Sequence, residues 1–116
     1  MTAARLRLGA VGEERAAAWY VAQGYAVLAR NWRCREGEID LVCAKGRTLV
    51  ICEVKTRSSL AYGHPAEAVT PVKQQRLHRL ALLWLAAQER PVRADALRFD
   101  VAAVLPQSID VLEAAF

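Results

Sequence analysis

Residues 37–57 constrain the fold more than any other stretch, because their pattern predicts a β-hairpin with acidic residues in both arms. Residues 38–44 alternate, with Ile39, Leu41 and Cys43 on one face, and residues 48–56 are rich in β-branched and apolar types. Gly46 is the only glycine between the two segments, which favours a two-residue turn of Gly46 and Arg47.

This turn fixes the register of the two strands. Counting outward from it, Asp40 lies opposite Glu53 and Glu38 opposite Lys55, with all four side chains on one face. The β-carbons of Asp40 and Glu53 would then be about 5 Å apart. Like charges directly opposite each other destabilise a sheet, so a bound divalent cation is one explanation. The alternative is that both acids face solvent and that Glu38 pairs with Lys55, since structural ion pairs imitate functional sites.

The hairpin residues have the chemistry of a magnesium site. Mg²⁺ prefers oxygen ligands and usually binds one or two carboxylates, a requirement that Asp40 and Glu53 meet, and the Val54 carbonyl could add another oxygen. Lys55 could orient a water molecule or stabilise developing negative charge. Glu13 is predicted at the edge of the inward stripe of the first helix, where a carboxylate needs a partner.

Composition limits the class of protein. The chain has 116 residues, 54% apolar and 24% charged, which fits one globular domain spanning residues 1–116. A net charge of +4 allows an anionic partner without demanding one. No run of eighteen apolar residues predicts a membrane span. Three widely spaced cysteines predict reduced core thiols in a cytoplasmic protein.

The order of predicted elements indicates an α/β fold. We predict a loose arm at 1–9, a helix at 10–23, strands at 25–32, 38–44 and 48–56, a loop at 58–70, a helix from Pro71 to about Glu89, a strand at 97–105 and a short last strand at 109–112. Burial of their apolar faces requires one mixed central sheet flanked by helices, in the order α-β-β-β-α-β.

Motifs along nearly the whole chain resemble those of the YraN-type bacterial family. They are Gly12-Glu13, Gly37-Glu38-Ile39-Asp40-Leu41-Val42, Glu53-Val54-Lys55-Thr56-Arg57, Tyr62-Gly63, Val69-Thr70-Pro71, Lys73-Gln74 and Arg98-Phe99-Asp100-Val101. That family is similar to the PD-(D/E)XK nuclease superfamily, in particular to archaeal Holliday-junction resolvases. Ile39 stands where the superfamily's name has proline.

The resemblance implies a restriction-endonuclease-like core and a Mg²⁺- or Mn²⁺-dependent endonuclease that hydrolyses phosphodiester bonds in branched or structured DNA. It implies these roles: Asp40, Glu53 and Glu13 as metal ligands, Lys55 as the catalytic lysine, and Arg57, Lys73 and Gln74 as nucleic-acid contacts. It also implies a homodimer, because resolvase-like nucleases cut two strands with two-fold symmetry.

Two other classes of function stay open at this point. One is a catalytically silent nucleic-acid-binding or adaptor protein that retains the nuclease core. The other is a structural subunit that uses the apolar tail at residues 111–116 for protein contacts.

Overall fold

The computed structural model describes residues 3–59, 61 and 63–116, with side chains from Gly9 onward. Its elements are α1 (Ala3–Ala22), β1 (Ala26–Cys34), β2 (Gly37–Lys45), β3 (Thr48–Thr56), a 3₁₀ turn (Pro65–Ala68), α2 (Pro71–Ala86), β4 (Ala96–Leu105) and β5 (Ser108–Leu112). Tyr62 of the family motifs and residues 1–2 of the predicted arm lie outside the described residues.

The five strands form one mixed sheet in the order β1-β2-β3-β4-β5. Neighbouring strands are antiparallel except β3 and β4, which are parallel and are connected through α2. The predicted α/β class, mixed sheet and element order are therefore confirmed, and the short last strand is present as β5.

The predicted helix boundaries are correct where a local signal sets them. Thr70 caps α2, its hydroxyl accepting a hydrogen bond from the Lys73 N–H at 3.3 Å, and Pro71 occupies the first helical position. The end of α2 is at Ala86 rather than near Glu89. The start of α1 was also predicted wrongly: the helix begins at Ala3, so residues 3–9 are helical rather than a loose arm. Neither described helix is long and apolar enough to span a membrane.

The sheet has an apolar core on each face. On one face, Leu77, Leu80 and Trp84 of α2 pack on β2, β3 and β4. On the other, Ala16, Ala17 and Tyr20 of α1 pack on the same strands. The helices thus cover opposite faces, and both reach the end of the sheet where β2 begins and β3 ends.

A buried polar network holds α1 to β4. Asp100 is fully buried and accepts hydrogen bonds from the Tyr20 hydroxyl at 2.7 Å and from both Arg98 Nε and Arg98 Nη2 at 2.9 Å. The Ala114 N–H also donates to Asp100, at 3.0 Å. The Arg98–Asp100 pair compensates the buried charge, and the Tyr20 hydroxyl ties α1 to this pair on β4.

The β2–β3 hairpin has the predicted turn and register near its closed end. Gly46 takes φ +58° in the turn, and the pairs run from Lys45–Thr48 to Leu41–Cys52. Among the described residues, Leu41–Cys52 is the last pair of this ladder. Beyond this pair β2 pairs only with β1, and β3 pairs only with β4. The two strands therefore separate after Leu41 and Cys52, so that Asp40 and Glu53 are no longer paired across the ladder.

The side chains of β2 also change faces at this point. Ile39 belongs to the core on the α2 side, whereas Leu41 belongs to the core on the α1 side. Residues two apart share a face in a regular strand, so the alternation is interrupted at Asp40. On β1, Asn31 falls between the Arg30–Leu41 and Trp32–Ile39 pairs and takes φ +49° at the same level. The prediction that Ile39 shares a face with Leu41 and Cys43 was therefore wrong.

Close approach of α1 to β3 depends on Gly12. A β-carbon there would overlap the Thr56 hydroxyl, whereas one at Gly9 would meet no atom within 4 Å. We expect Gly12→Ala to lower the free energy of unfolding by about 1–3 kcal/mol through overpacking. The matched control Gly9→Ala should raise it by up to about 1 kcal/mol through helix propensity.

Urea unfolding followed by tryptophan fluorescence measures both effects. Adding Thr56→Ala to Gly12→Ala should recover part of the loss, since it removes the overlapping hydroxyl. Equal stability of the two alanine variants would show that Gly12 is not a close-packing position.

Candidate active site

The separation of β2 and β3 opens a gap at one end of the sheet. The Val54 N–H has lost its partner on β2 and donates instead to Asp40 Oδ2, at 2.8 Å. The Asp40 carboxylate therefore takes the place of a strand carbonyl and is held in a fixed orientation between the strands.

Three further carboxylates surround Asp40. Glu13 of α1, Glu38 and Asp40 each offer an oxygen within 4.8 Å of the others. Glu53 of β3 is close enough that its charge acts on Asp40. Sequence reasoning gave Asp40, Glu53 and Glu13 as metal ligands and treated Glu38 only as a neighbour on the same face, whereas the structure makes Glu38 a member of the acidic cluster.

The pKa of Asp40 reflects this environment. It is raised from 3.8 to about 7, first by burial, next by the charge of Glu53, and to a smaller extent by the charges of Glu13 and Glu38. The hydrogen bond from Val54 acts in the opposite direction but does not offset burial. A carboxylate with this pKa is half protonated near neutral pH unless a cation lies beside it.

Lys55 is paired with Glu53 and not with Glu38. Its Nζ lies 3.3 Å from Glu53 Oε1, and both side chains are mostly buried. Glu38 pairs instead with Arg33 of β1, at 3.5 Å. The alternative interpretation, a Glu38–Lys55 pair on a solvent-facing ladder, is wrong because the ladder ends before it reaches these residues.

The first turns of α2 bring cations to the same gap. Lys73 and Arg76 line a small concavity together with Glu38 and Glu53, and Leu77 and Leu80 form its floor. The charge of Lys55 lowers the pKa of Lys73, which shows that the two ammonium groups are neighbours. The gap therefore has acidic groups on its sheet side and basic groups on its α2 side.

Two other predicted nucleic-acid contacts are not in this concavity. Gln74 donates through Nε2 to the Val69 carbonyl at 3.1 Å, and so braces the segment before α2. Arg57 is exposed, donates to the Thr56 carbonyl and lines a separate depression with His64 and Glu67.

The donor set fits a hard divalent cation. All the candidate ligands are carboxylates, the type that Mg²⁺ and Mn²⁺ prefer. Oxygens bound to one Mg²⁺ at about 2.1 Å lie within about 4.2 Å of each other. The cluster of Glu13, Glu38 and Asp40, with oxygens within 4.8 Å, is close to that spacing, and the two glutamates are only partly buried and can adjust.

Comparison with known proteins assigns the chain to a family. A family model described as uncharacterised protein family UPF0102 matches residues 12–104. The chain belongs to this family. A UPF0102 protein of Beutenbergia cavernae is 57% identical over 98 residues, which cover 84% of this chain and 81% of that protein. A UPF0102 protein of Nocardia farcinica is 51% identical over 114 residues, which cover 94% and 88%. These matches confirm the YraN-type resemblance.

Sequence reasoning gave no site role to two residues that line the gap. Glu38 was placed on the same face as Asp40 but was considered only as an ion-pair partner of Lys55. Arg76 was not among the predicted nucleic-acid contacts, although its spacing of three from Lys73 indicates that both lie on one side of α2.

Stability should depend on pH through Asp40. The folded-state pKa of about 7 exceeds the ordinary value of 3.8, so the folded protein binds this proton more tightly than the unfolded chain does. The resulting stabilisation is complete below pH 3.8 and is lost as pH rises through about 7. In metal-free buffer, Asp40→Asn should therefore be more stable than wild type at pH 8, by an amount on the order of a few kcal/mol.

The gain should shrink steadily as pH falls from 8 to 5, as measured by urea unfolding in the presence of EDTA. Asparagine can still accept the Val54 hydrogen bond, so the variant isolates the charge. Glu14→Gln removes an exposed carboxylate of α1 and serves as the control, with no such trend. An Asp40→Asn effect of equal size at pH 5 and pH 8 would contradict this account of the site.

Proposed function

We propose that this protein is a Mg²⁺- or Mn²⁺-dependent endonuclease that hydrolyses phosphodiester bonds in DNA. We propose further that it acts in the cytoplasm and that its own fold is a restriction-endonuclease-like core. One observation carries the proposal: the separation of β2 and β3 gathers four carboxylates and Lys55 in one gap. Neither a stable sheet nor a stable core needs this concentration of acids. A bound cation that also contacts a phosphate substrate would offset the repulsion among these carboxylates and so explains why they are grouped.

Asp40, Glu13 and Glu53 would hold the metal ion, and Glu38 would supply a fourth carboxylate. Asp40 would be the central ligand, because its carboxylate lies near those of Glu13 and Glu38, the charge of Glu53 acts on it, and the Val54 N–H holds it in place. When bound, the ion polarises a phosphate and lowers the pKa of a coordinated water molecule.

The chain's own groups supply orientation and positive charge. The Val54 N–H fixes the Asp40 carboxylate, so the ligand does not have to be ordered when the metal binds. Lys55 is held by Glu53 at the edge of the gap, where its ammonium group can hydrogen-bond a phosphate oxygen and stabilise negative charge that develops there. Lys73 and Arg76 face the same space from α2 and would bind the phosphate backbone.

Branched or structured DNA is the substrate class we propose, with a homodimer as the acting species. Two strands related by two-fold symmetry are cut by two copies of one site, which a symmetric dimer provides.

Cleavage of labelled DNA tests the proposal. Wild type should cut duplex, single-stranded or four-way-junction DNA in the presence of Mg²⁺ or Mn²⁺, and not in EDTA. Asp40→Asn, Glu53→Ala and Lys55→Ala should each lower the rate by about 100-fold or more, since each removes a charge that acts at the reacting phosphate. Arg47→Gln, at the closed end of the hairpin, is the control and should cut like wild type.

Two results would contradict the proposal: no metal-dependent cleavage of any of these substrates, or undiminished cleavage by both Glu53→Ala and Lys55→Ala. Salt-dependent DNA binding without cleavage, unaffected by Glu53→Ala, would instead support a catalytically silent binding protein.

A further inference from the structure

A groove extends from the candidate site along the first half of α2. Beyond the concavity of Glu38, Glu53, Lys73 and Arg76 lies a second one of about 380 Å³, which Glu36, Gln75 and Arg79 help to line. Arg76 and Leu80 line both, so the two concavities adjoin each other along α2. We name the combined feature the α2 groove.

The helix side of the α2 groove is a row of cations. Lys73, Arg76 and Arg79 follow one another at intervals of three residues, which keeps them on one side of α2. The row spans about 9 Å along the helix axis at about 1.5 Å per residue. Successive phosphates of one strand rise about 3.4 Å along the axis of duplex DNA, so a row parallel to that axis spans two to three nucleotide steps.

Arg79 is already bound to an anionic side chain of the same chain. Glu36, in the turn between β1 and β2, accepts a hydrogen bond through Oε1 from Arg79 Nε at 2.6 Å. The Glu36 side chain is 41% exposed and the Arg79 side chain 67% exposed, so solvent and other anions can reach the pair. An exposed ion pair contributes little stability, and a phosphate that Arg79 can bind with two parallel hydrogen bonds competes well with it.

We propose that the α2 groove binds the backbone of the DNA strand beyond the bond to be cut, and that Glu36 occupies the Arg79 phosphate position in the free protein. This proposal rests on the proposed function, because it takes the candidate site at one end of the α2 groove as the place where the DNA strand is cut. The occupant follows from charge: a row of cations on the helix side, adjoining a gap lined by Lys55 and carboxylates, suits a polyanion that also approaches a metal ion.

We expect substitutions of the two ion-pair partners, Arg79 and Glu36, to change DNA affinity in opposite directions. Arg79→Gln should weaken DNA binding and reduce the slope of log affinity against log salt by about 0.9 on duplex DNA, the value for one phosphate contact. Glu36→Gln should tighten binding by up to about fivefold, which is as much as an exposed ion pair can compete. In the Arg79→Gln background, Glu36→Gln should have less effect, because the arginine that it released is absent.

Fluorescence anisotropy with labelled duplex and junction oligonucleotides in EDTA measures these effects without cleavage. The matched controls are Arg47→Gln and Asp95→Asn, which remove the partners of another exposed ion pair, 3.3 Å apart at the closed end of the hairpin. They make the same changes in net charge away from the groove, and neither should alter affinity as much as its counterpart.

The outcomes separate the groove from the catalytic proposal. If wild type cuts DNA but the Arg79 and Glu36 variants bind like the Arg47 and Asp95 controls, the groove assignment is overturned and the nuclease proposal stands. If the variants shift binding as predicted but wild type cuts nothing, the groove stands and catalysis fails. Absence of DNA binding by wild type at low salt would overturn both.

Discussion

The candidate site depends on a single constraint, the separation of β2 and β3 at Asp40. Each strand has another neighbour that continues past this point, β1 for β2 and β4 for β3, so the sheet opens instead of ending. The opening would leave the Val54 N–H without a partner, and the Asp40 carboxylate satisfies it. One hydrogen bond therefore both completes the backbone pairing and places a carboxylate at the centre of the gap.

The same constraint creates an electrostatic conflict. Asp40 is removed from water and lies among three other acids, so its charged form is disfavoured and its pKa rises to about 7. The fold holds this arrangement from both faces: Gly12 allows α1 to lie against β3, and the cations at the start of α2 lie across the gap. Conflict of this kind, maintained by rigid elements, is typical of a site that needs a cation.

Much of the fold could be predicted from local signals. Gly46 marks the turn and Thr70-Pro71 the start of α2, and both are correct because each acts through contacts a few residues away. The start of α1 and the face of Ile39 were predicted wrongly. For the first, Thr2 is a preferred N-cap residue type directly before Ala3, a signal that the prediction did not use. The second depends on where the β2–β3 ladder ends, which no local pattern in the sequence encodes.

For the site, sequence spacing brought Asp40, Glu53 and Lys55 together but could not show which acids lie closest, because that depends on where the β2–β3 ladder ends.

The central claim is that these acids bind a divalent cation. Isothermal titration calorimetry with Mn²⁺ at pH 8 tests it most directly, on wild type and on Asp40→Asn. The account predicts saturable binding by wild type that Asp40→Asn loses. Absence of binding to wild type, or equal binding by both, would contradict it.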